Sequence, residues 1–308
     1  MSGKFRLVTR SDMDGIATAI ILTQLELVDE IKFVHPKDVQ DGIVDITEND
    51  IITNLPHPPK AYLVFDHYKG EAVSNEKEDS HLIMADTPSA AREVYNYYLK
   101  DNDLSMIRQD MLLAVDKCDA AQFSKEEILN PKAWVLLHFL MDARTGLGRF
   151  INFEISNYNL MLELIDYCHD HGIDDVMLLP HVKERVDLYN KHADTFKEQL
   201  KRCATVYENL VVLDLRDEEI IYPGNRFMIY VLFPQVNISI HVLWGLKKQN
   251  TVFATGKSII NKSSKTNIGE LMHKYAGGGH KDCGTCQVEH DKAKEVLSEL
   301  ITAITQDG

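Results

Sequence analysis

The sequence predicts an α/β protein, in which a parallel-sheet domain is joined by a helical linker to a smaller mixed α/β domain. Three features predict it: strand-like and helix-like stretches alternate through the first half, a long charged helical pattern follows, and strand-like runs then resume. The first half opens on Phe5-Arg6-Leu7-Val8-Thr9, continues with a helix-like Gly15–Leu27 and a run at Ile31–His35, and turns strand-like again at Ala61–Phe65 and Met111–Val115. Such alternation implies parallel pairing, because parallel neighbours need a crossover that is usually a helix. From Asn157 to Glu208 the spacing is helical, through Leu160, Leu164 and Ile165 and then Arg185, Leu188, Phe196 and Leu200. The expected domains are residues 1–195 and 206–308. The second reads as strands at Leu210–Leu215, Phe227–Phe233, Ile238–Trp244 and Thr251–Thr255, a helix at Ile268–Tyr275, a glycine run, a strand at Thr285–Glu289 and a closing helix, Ala293–Ile304.

A chain of 308 residues suits two domains, and two domains imply a cleft. Its 44% hydrophobic and 26% charged content is that of a globular protein, and no stretch reaches the ~18 consecutive apolar residues of a membrane span. Met1-Ser2-Gly3-Lys4-Phe5-Arg6 runs straight into a strand-like segment without the apolar core of a signal peptide. Five cysteines, an odd and scattered set, suit a reducing compartment. The expectation is a soluble, cytoplasmic protein without a membrane partner. A formal charge of −14 repels long polyanions, so the expected partner is a short oligonucleotide or another small phosphorylated substrate, not long duplex nucleic acid.

Chemistry concentrates where strands are expected to end. Asp12 and Asp14, in Arg10-Ser11-Asp12-Met13-Asp14-Gly15, follow the first strand, and Gly15 permits a tight turn into the helix. Asp66 and His67 follow Ala61–Phe65, Asp116 and Asp119 follow Met111–Val115, and Asp50 precedes the Ala61 strand. In parallel sheets ligands sit outside the carboxyl ends of the strands, and convergent carboxylates and imidazole suit a hard divalent cation. Taken singly, Asp12 also reads as a helix N-cap, Asp50 as a surface cap, and Asp66-His67 as a hydrogen-bonded turn.

This pattern resembles the DHH phosphoesterase superfamily, which includes RecJ nucleases, short-RNA oligoribonucleases, exopolyphosphatases and family II pyrophosphatases. The resemblance covers nearly the whole chain. It implies a site for one or two Mn²⁺ ions, with Mg²⁺ as the alternative, held by Asp12, Asp14, Asp50, Asp66, His67 and Asp116, with Asp119 as the other choice for the last ligand. The family usually has His where Arg10 and Tyr68 stand. Arg10 offers no acceptor to a metal and is read instead as a catalytic contact to a substrate phosphate or a partner of a neighbouring carboxylate, while Tyr68 is read as a donor to a phosphate oxygen. Asp66 and His67 complete the expected catalytic set.

Gly277-Gly278-Gly279-His280 lies between a helix-like stretch and a strand, where bare N–H groups can form an anion-binding nest. It resembles the glycine-rich motif of the DHH-associated substrate-binding domain, which implies that Gly277, Gly278, Gly279 and His280 hold a phosphate or nucleotide. Ser258, Asn261, Lys262 and Lys265 form a polar-basic patch nearby, and Tyr275 and Phe253 are candidate base-stacking aromatics. The stretch Asp142–Arg149, with two arginines, reads first as a surface loop, with reach into the cleft as the alternative. The expected function is metal-dependent hydrolysis of phosphodiesters in very short oligonucleotides, such as linear pGpG or nanoRNA. The alternatives are an exopolyphosphatase, a phosphatase of 3′,5′-bisphosphorylated nucleosides, and a catalytically silent nucleotide-binding regulator. A homodimer is one admissible state.

Overall fold

The computed structural model describes residues 4–57, 60–66, 82–84, 86–150 and 152–308. In chain order the elements are β1 (Phe5–Arg10), α1 (Met13–Gln24), β2 (Val28–Val34), α2 (Pro36–Gln40), β3 (Asp50–Thr53), β4 (Leu63–Asp66), β5 (Leu82–Met84), α3 (Ala90–Tyr98), α4 (Gln109–Asp119), α5 (Lys125–Leu129), α6 (Ala133–Met141), α7 (Asn157–Asp170), α8 (Ile173–Val176) and α9 (Pro180–Cys203). They continue with β6 (Ala204–Tyr207), β7 (Leu210–Asp214), α10 (Met228–Leu232), β8 (Ile238–Trp244), β9 (Thr251–Lys257), α11 (Ile268–His273), β10 (Gly278–His280), β11 (Cys283–Val288) and α12 (Ala293–Asp307). Two compact units result: Met1–Phe123 with Pro131–Tyr189, and Ser124–Asn130 with Asn190–Gly308. Among the described residues no helix is long and apolar enough to cross a membrane.

The first unit is built on a five-stranded sheet in the order β2-β1-β3-β4-β5, with every pairing parallel. Alternating side chains serve two cores. Leu7, Ile51, Leu63 and Phe65 face the large cluster with Ile16, Ile20 and Ile21 of α1, while Val8, Ile52 and Val64 face Val34, Ile46 and Leu55 on the other side. A strand covered on both faces reads as a near-continuous apolar run, which is why these segments are recognisable in the sequence. Helix α1 is buried at every position from Met13 to Leu22, as a central helix must be. The chain leaves β1 for β2 and returns on the opposite side at β3, so the carboxyl ends of β1 and β3 flank a topological switch point.

The α/β architecture expected from sequence is the one found, with two local corrections. Met111–Val115 is part of helix α4, not a strand: Met111, Leu112, Val115 and Cys118 are buried at helical spacing while Leu113 is exposed. Phe227–Phe233 is largely helix α10, introduced by buried Asn225, whose Oδ1 accepts from Phe227 N (2.8 Å). Short apolar runs carry too few residues to separate a period of 3.6 from a period of 2. The helical pattern also stops at Cys203, where β6 begins and pairs antiparallel with β7.

The second unit carries a six-stranded sheet in the order β10-β11-β9-β8-β7-β6, with only β7 and β8 parallel. One face, with Val212, Ile240, Val242 and Phe253, packs on Ile268 and Met272 of α11 and Leu300 and Ile304 of α12. Residues of β8 alternate, so Ser239 and His241 lie on the other face. There Tyr230 of α10 hydrogen-bonds the Ser239 hydroxyl and donates to Gly256 O, both at 2.7 Å.

Burial, reinforced by the nearby Arg226 cation, lowers the His241 pKa from 6.5 to about 4. Between those values the unfolded chain binds a proton that the folded chain does not, so stability contributed by neutral His241 is lost as the pH falls from about 6.5 towards 4. Urea unfolding at a series of pH values should show this decline, and His241→Gln should flatten it; an equally steep decline in the variant would contradict the assignment.

Candidate active site

The carboxyl end of β1 delivers three charged side chains within one turn. Asp12 N-caps α1, its Oδ1 accepting from Gly15 N at 3.0 Å. Its Oδ2 lies 3.2 Å from Arg10 Nε, so Arg10 pairs with the neighbouring carboxylate. Gly15 is required for contact, not only for turning: a Cβ there would lie 2.1 Å from the Arg10 carbonyl oxygen. Burial raises the pKa of Asp12, and the negative charge of Asp119 adds to that, while Arg10, the Gly15 amide and Arg144 offset part of it. The negative charge of Asp119, at the end of helix α4, thus acts on Asp12 at the tip of β1. Arg144 belongs to the Asp142–Arg149 loop, which forms two short 3₁₀ turns, and its Nε is bound to Asp142 Oδ1 at 2.7 Å.

Asp14 is used differently. It is 3% exposed and accepts from Asn54 Nδ2 (3.0 Å), Ala90 N (3.2 Å) and Ala91 N (2.8 Å). Ala90 and Ala91 open α3, whose first N–H groups lack partners inside the helix, so a buried carboxylate and a helix N-terminus satisfy one another. Asn54 stands at the tip of β3 with φ +54°. Sequence reasoning missed it because β3 itself was not recognised; its signal is a polar residue directly after Ile51-Ile52-Thr53.

Asp66 ends β4 on the same sheet edge, and its Oδ2 lies 2.9 Å from His57 Nε2. His57, unassigned from sequence, follows the β3 tip by three residues beyond Asn54 and so returns to the same edge. His67 and Tyr68, both expected at the site, lie outside the described residues.

Two expected ligands are placed elsewhere. Asp50 begins β3, at the amino end of the sheet and away from Asp12 and Asp66. It is held by Arg6 Nε (2.6 Å), Arg6 Nη2 (2.8 Å) and Thr47 N (2.7 Å), which makes it an ion pair between β1 and β3. Asp116 accepts from Ser89 Oγ (2.8 Å) and from Arg92 Nε (2.8 Å) and Nη2 (2.6 Å), and so joins α4 to the start of α3. Asp119, one helical turn beyond, is the α4 carboxylate whose charge acts on Asp12. Among the described residues no three His, Cys, Asp or Glu gather tightly enough to hold a metal by themselves.

In the second unit Gly278–His280 is the edge strand β10, paired antiparallel with β11, and not a separate nest. The glycines are explained by that approach: a Cβ on Gly277 would lie 2.4 Å from Thr285 O, and one on Gly279, at φ +155°, 2.2 Å from Cys283 O. Outward N–H groups of such an edge are available to a ligand, and Gly278 and His280 are exposed. Ser258 Oγ accepts from Ile260 N and Asn261 N, and Asn261 Oδ1 from Ser263 N, so both side chains shape their own loop; Lys262 is exposed. Phe253 is fully buried in the core and cannot stack on a base. The Tyr275 hydroxyl donates to Glu299 Oε2 at 2.7 Å, and burial with that carboxylate pushes its pKa up to about 12. Cys283 and Cys286 project from opposite faces of β11, one exposed and one in the core, so they cannot chelate together.

The chain is 56% identical to the pGpG-specific phosphodiesterase PggH from Vibrio cholerae, over 99% of this chain and 100% of that one, with a TM-score of 0.82. RecJ from Thermus thermophilus, solved in complex with Mn²⁺, shares the fold at 12% identity, over 98% of this chain and 52% of that one, with a TM-score of 0.52. An exonuclease RecJ bound to manganese shares it at 12% identity over 98% and 90%, with a TM-score of 0.51. No family model and no curated protein matches the chain.

Two substitutions separate the architecture from the chemistry. Asp50→Asn should lower the unfolding free energy by about 1–3 kcal/mol and leave divalent-ion affinity unchanged, as calorimetry with Mn²⁺ would reveal; lost ion affinity in a stable variant would restore Asp50 to the metal site. Gly15→Ala should cost about 1–3 kcal/mol or more, because the clash is with backbone, and should be read by urea unfolding.

Proposed function

Because the chain belongs to the DHH phosphoesterase superfamily, a family of hydrolases, we propose that it hydrolyses the phosphodiester of a 5′-phosphorylated linear dinucleotide, pGpG, to two molecules of GMP. Identity of 56% over essentially the full length of a pGpG-specific phosphodiesterase supports that substrate. The single structural observation that carries the chemistry is the placement of Asp12 and Asp66 at the carboxyl ends of β1 and β4, beside the switch point of a parallel sheet.

The donor chemistry fits a divalent cation. Asp12, whose pKa is raised by burial and by the negative charge of Asp119, is a carboxylate whose charge a hard cation would neutralise. The described carboxylates do not converge on one point by themselves, so we propose that a bound ion would draw together Asp12, Asp66 and Asp119, with His67 as the imidazole and Asp14 as a further acceptor. Mn²⁺ is the ion we propose, in line with the RecJ structures that hold it, with Mg²⁺ as its substitute. When bound, the ion polarises the phosphoryl oxygens and lowers the pKa of a coordinated water.

The chain's own groups supply the rest. The Arg10 guanidinium, now paired with Asp12, is the nearest donor fork for a non-bridging phosphate oxygen, and Arg144 adds a second cation to the cluster. His57 holds Asp66 in one orientation. In the second unit taken by itself, the exposed β10 edge, Gly278–His280, and the exposed Lys262 are proposed as a phosphate contact, the Gly277 N–H being already given to Met272 O at 3.0 Å. No described feature favours polyphosphate or a bisphosphorylated nucleoside over this reading.

With Mn²⁺ present, a panel of pGpG, a longer RNA, polyphosphate and a 3′,5′-bisphosphorylated nucleoside should yield fast turnover of pGpG alone. Chelation by EDTA should abolish it and added Mn²⁺ should restore it. Asp119→Asn should reduce kcat by about 10²-fold or more while the fold is retained, whereas Asp116→Asn should mainly lower thermal stability. The opposite pattern would return the ligand role to Asp116.

A further inference from the structure

A cavity of about 190 Å³ opens beside the acidic cluster in the first unit, bounded by Ser11, Phe33, Gly148, Asn157, Tyr158 and Met161 among others. Two features tie it to the site. Ser11 adjoins Asp12 in the chain, and Asp142, which also lines the cavity, is bound to the same Arg144 whose charge acts on Asp12. Its size falls below the roughly 300 Å³ at which pockets take drug-sized ligands, so it suits a single heterocycle. Its walls are apolar and aromatic: Phe33 and Tyr158 meet edge to face at 5.9 Å, and the Tyr158 hydroxyl is anchored on Ile31 O at 3.0 Å. Such rings stack on bases without regard to sequence.

Discrimination would come from Asn157. Its Oδ1 accepts from Arg185 Nε (3.2 Å) and Nη2 (3.1 Å). Arg185 is fully buried, and is itself held by His181 O (2.9 Å), Ile155 O (2.7 Å) and the face of Phe153 at 4.1 Å. A guanidinium has donors and no acceptor, so it can be satisfied only by the oxygen of the amide. The amide of Asn157 is thereby denied its usual freedom to flip, and Nδ2 is turned towards Gly148, where an added Cβ would lie 3.9 Å from it. Nδ2 donates to no described residue.

We infer that Asn157 reads the six-position of a guanine base seated in this cavity, and that buried Arg185 is the positioning residue that holds its amide in the donating orientation. Guanine presents an acceptor, O6, to that N–H; adenine presents the N6 donor and leaves two N–H groups opposed. The inference rests on the dinucleotide-hydrolase reading and assigns its base preference to two residues.

The test measures kcat/KM for pGpG and pApA on one preparation of the full chain with Mn²⁺, so that the active fraction cancels in the ratio. Wild type should favour pGpG by about tenfold or more. Asn157→Asp keeps the shape and the Arg185 pairing but turns an acceptor towards the base, so the pGpG rate should fall by about tenfold or more and the pApA rate should hold or rise. Asn157→Ala should bring the ratio close to one through loss on pGpG. Arg185→Lys, which cannot hold the amide as a fork, should raise the pApA share. A proportional loss on both substrates in Asn157→Asp, or an unchanged ratio in Asn157→Ala, overturns the assignment, and an unchanged share in Arg185→Lys overturns its part. Wild type inactive on pGpG would instead overturn the parent reading, while activity without base preference would overturn this inference alone.

Discussion

A carboxylate at 3% exposure is costly unless its charge is answered, and Asp14 is answered by the Asn54 amide and the first two N–H groups of α3. Through that one side chain the start of α1, the tip of β3 and the start of α3 are fastened together. Each of those points then serves the site. Asp12 lies two residues before the clamp, Asn54 carries the β3 tip, and Ser89, which caps α3, reaches across to Asp116. The register of α4, and with it the place of Asp119, follows from the pairing of Asp116 with Ser89 and Arg92.

This division of labour among acids resolves the charge balance at the carboxyl end of the sheet. Asp14, Asp50 and Asp116 are each surrounded by donors from within the first unit, and they hold elements together. Asp12 is only partly compensated by Arg10, the Gly15 amide and Arg144, and the charge of Asp119 acts against it. Excess negative charge concentrated at a strand tip is what attracts a cation, and a phosphate after it. A cation held there would invert the local charge and let an acid-rich protein of net charge −14 take an anionic substrate.

The second unit shows why a motif and its explanation can separate. Gly277 and Gly279 are recognisable in sequence as an unusual run, yet each is required where it stands by the approach of β10 to the backbone of β11. That geometry also makes β10 an exposed edge strand, so the proposed binding would make the same demand on the residue type as packing does. Ser258 and Asn261, by contrast, are polar because they close their own loop.

The sequence by itself determined the α/β class, the first strand and its helix, and the placing of Asp12, Asp14 and Asp66 after strands. These follow from local rules: doubly covered strands are continuous apolar runs, and a glycine after paired acids marks a strand-to-helix turn. Tertiary structure decided the rest, because it depends on which donors arrive from distant parts of the chain. Met111–Val115 could be either strand or helix until its neighbours buried one stripe of it. The sequence points to Asp50 and passes over Asn54, whereas β3 sets the first at the amino end of the sheet and the second at the carboxyl end. Of the two α4 carboxylates, Asp116 is taken up by Ser89 and Arg92, whereas the charge of Asp119 acts on Asp12.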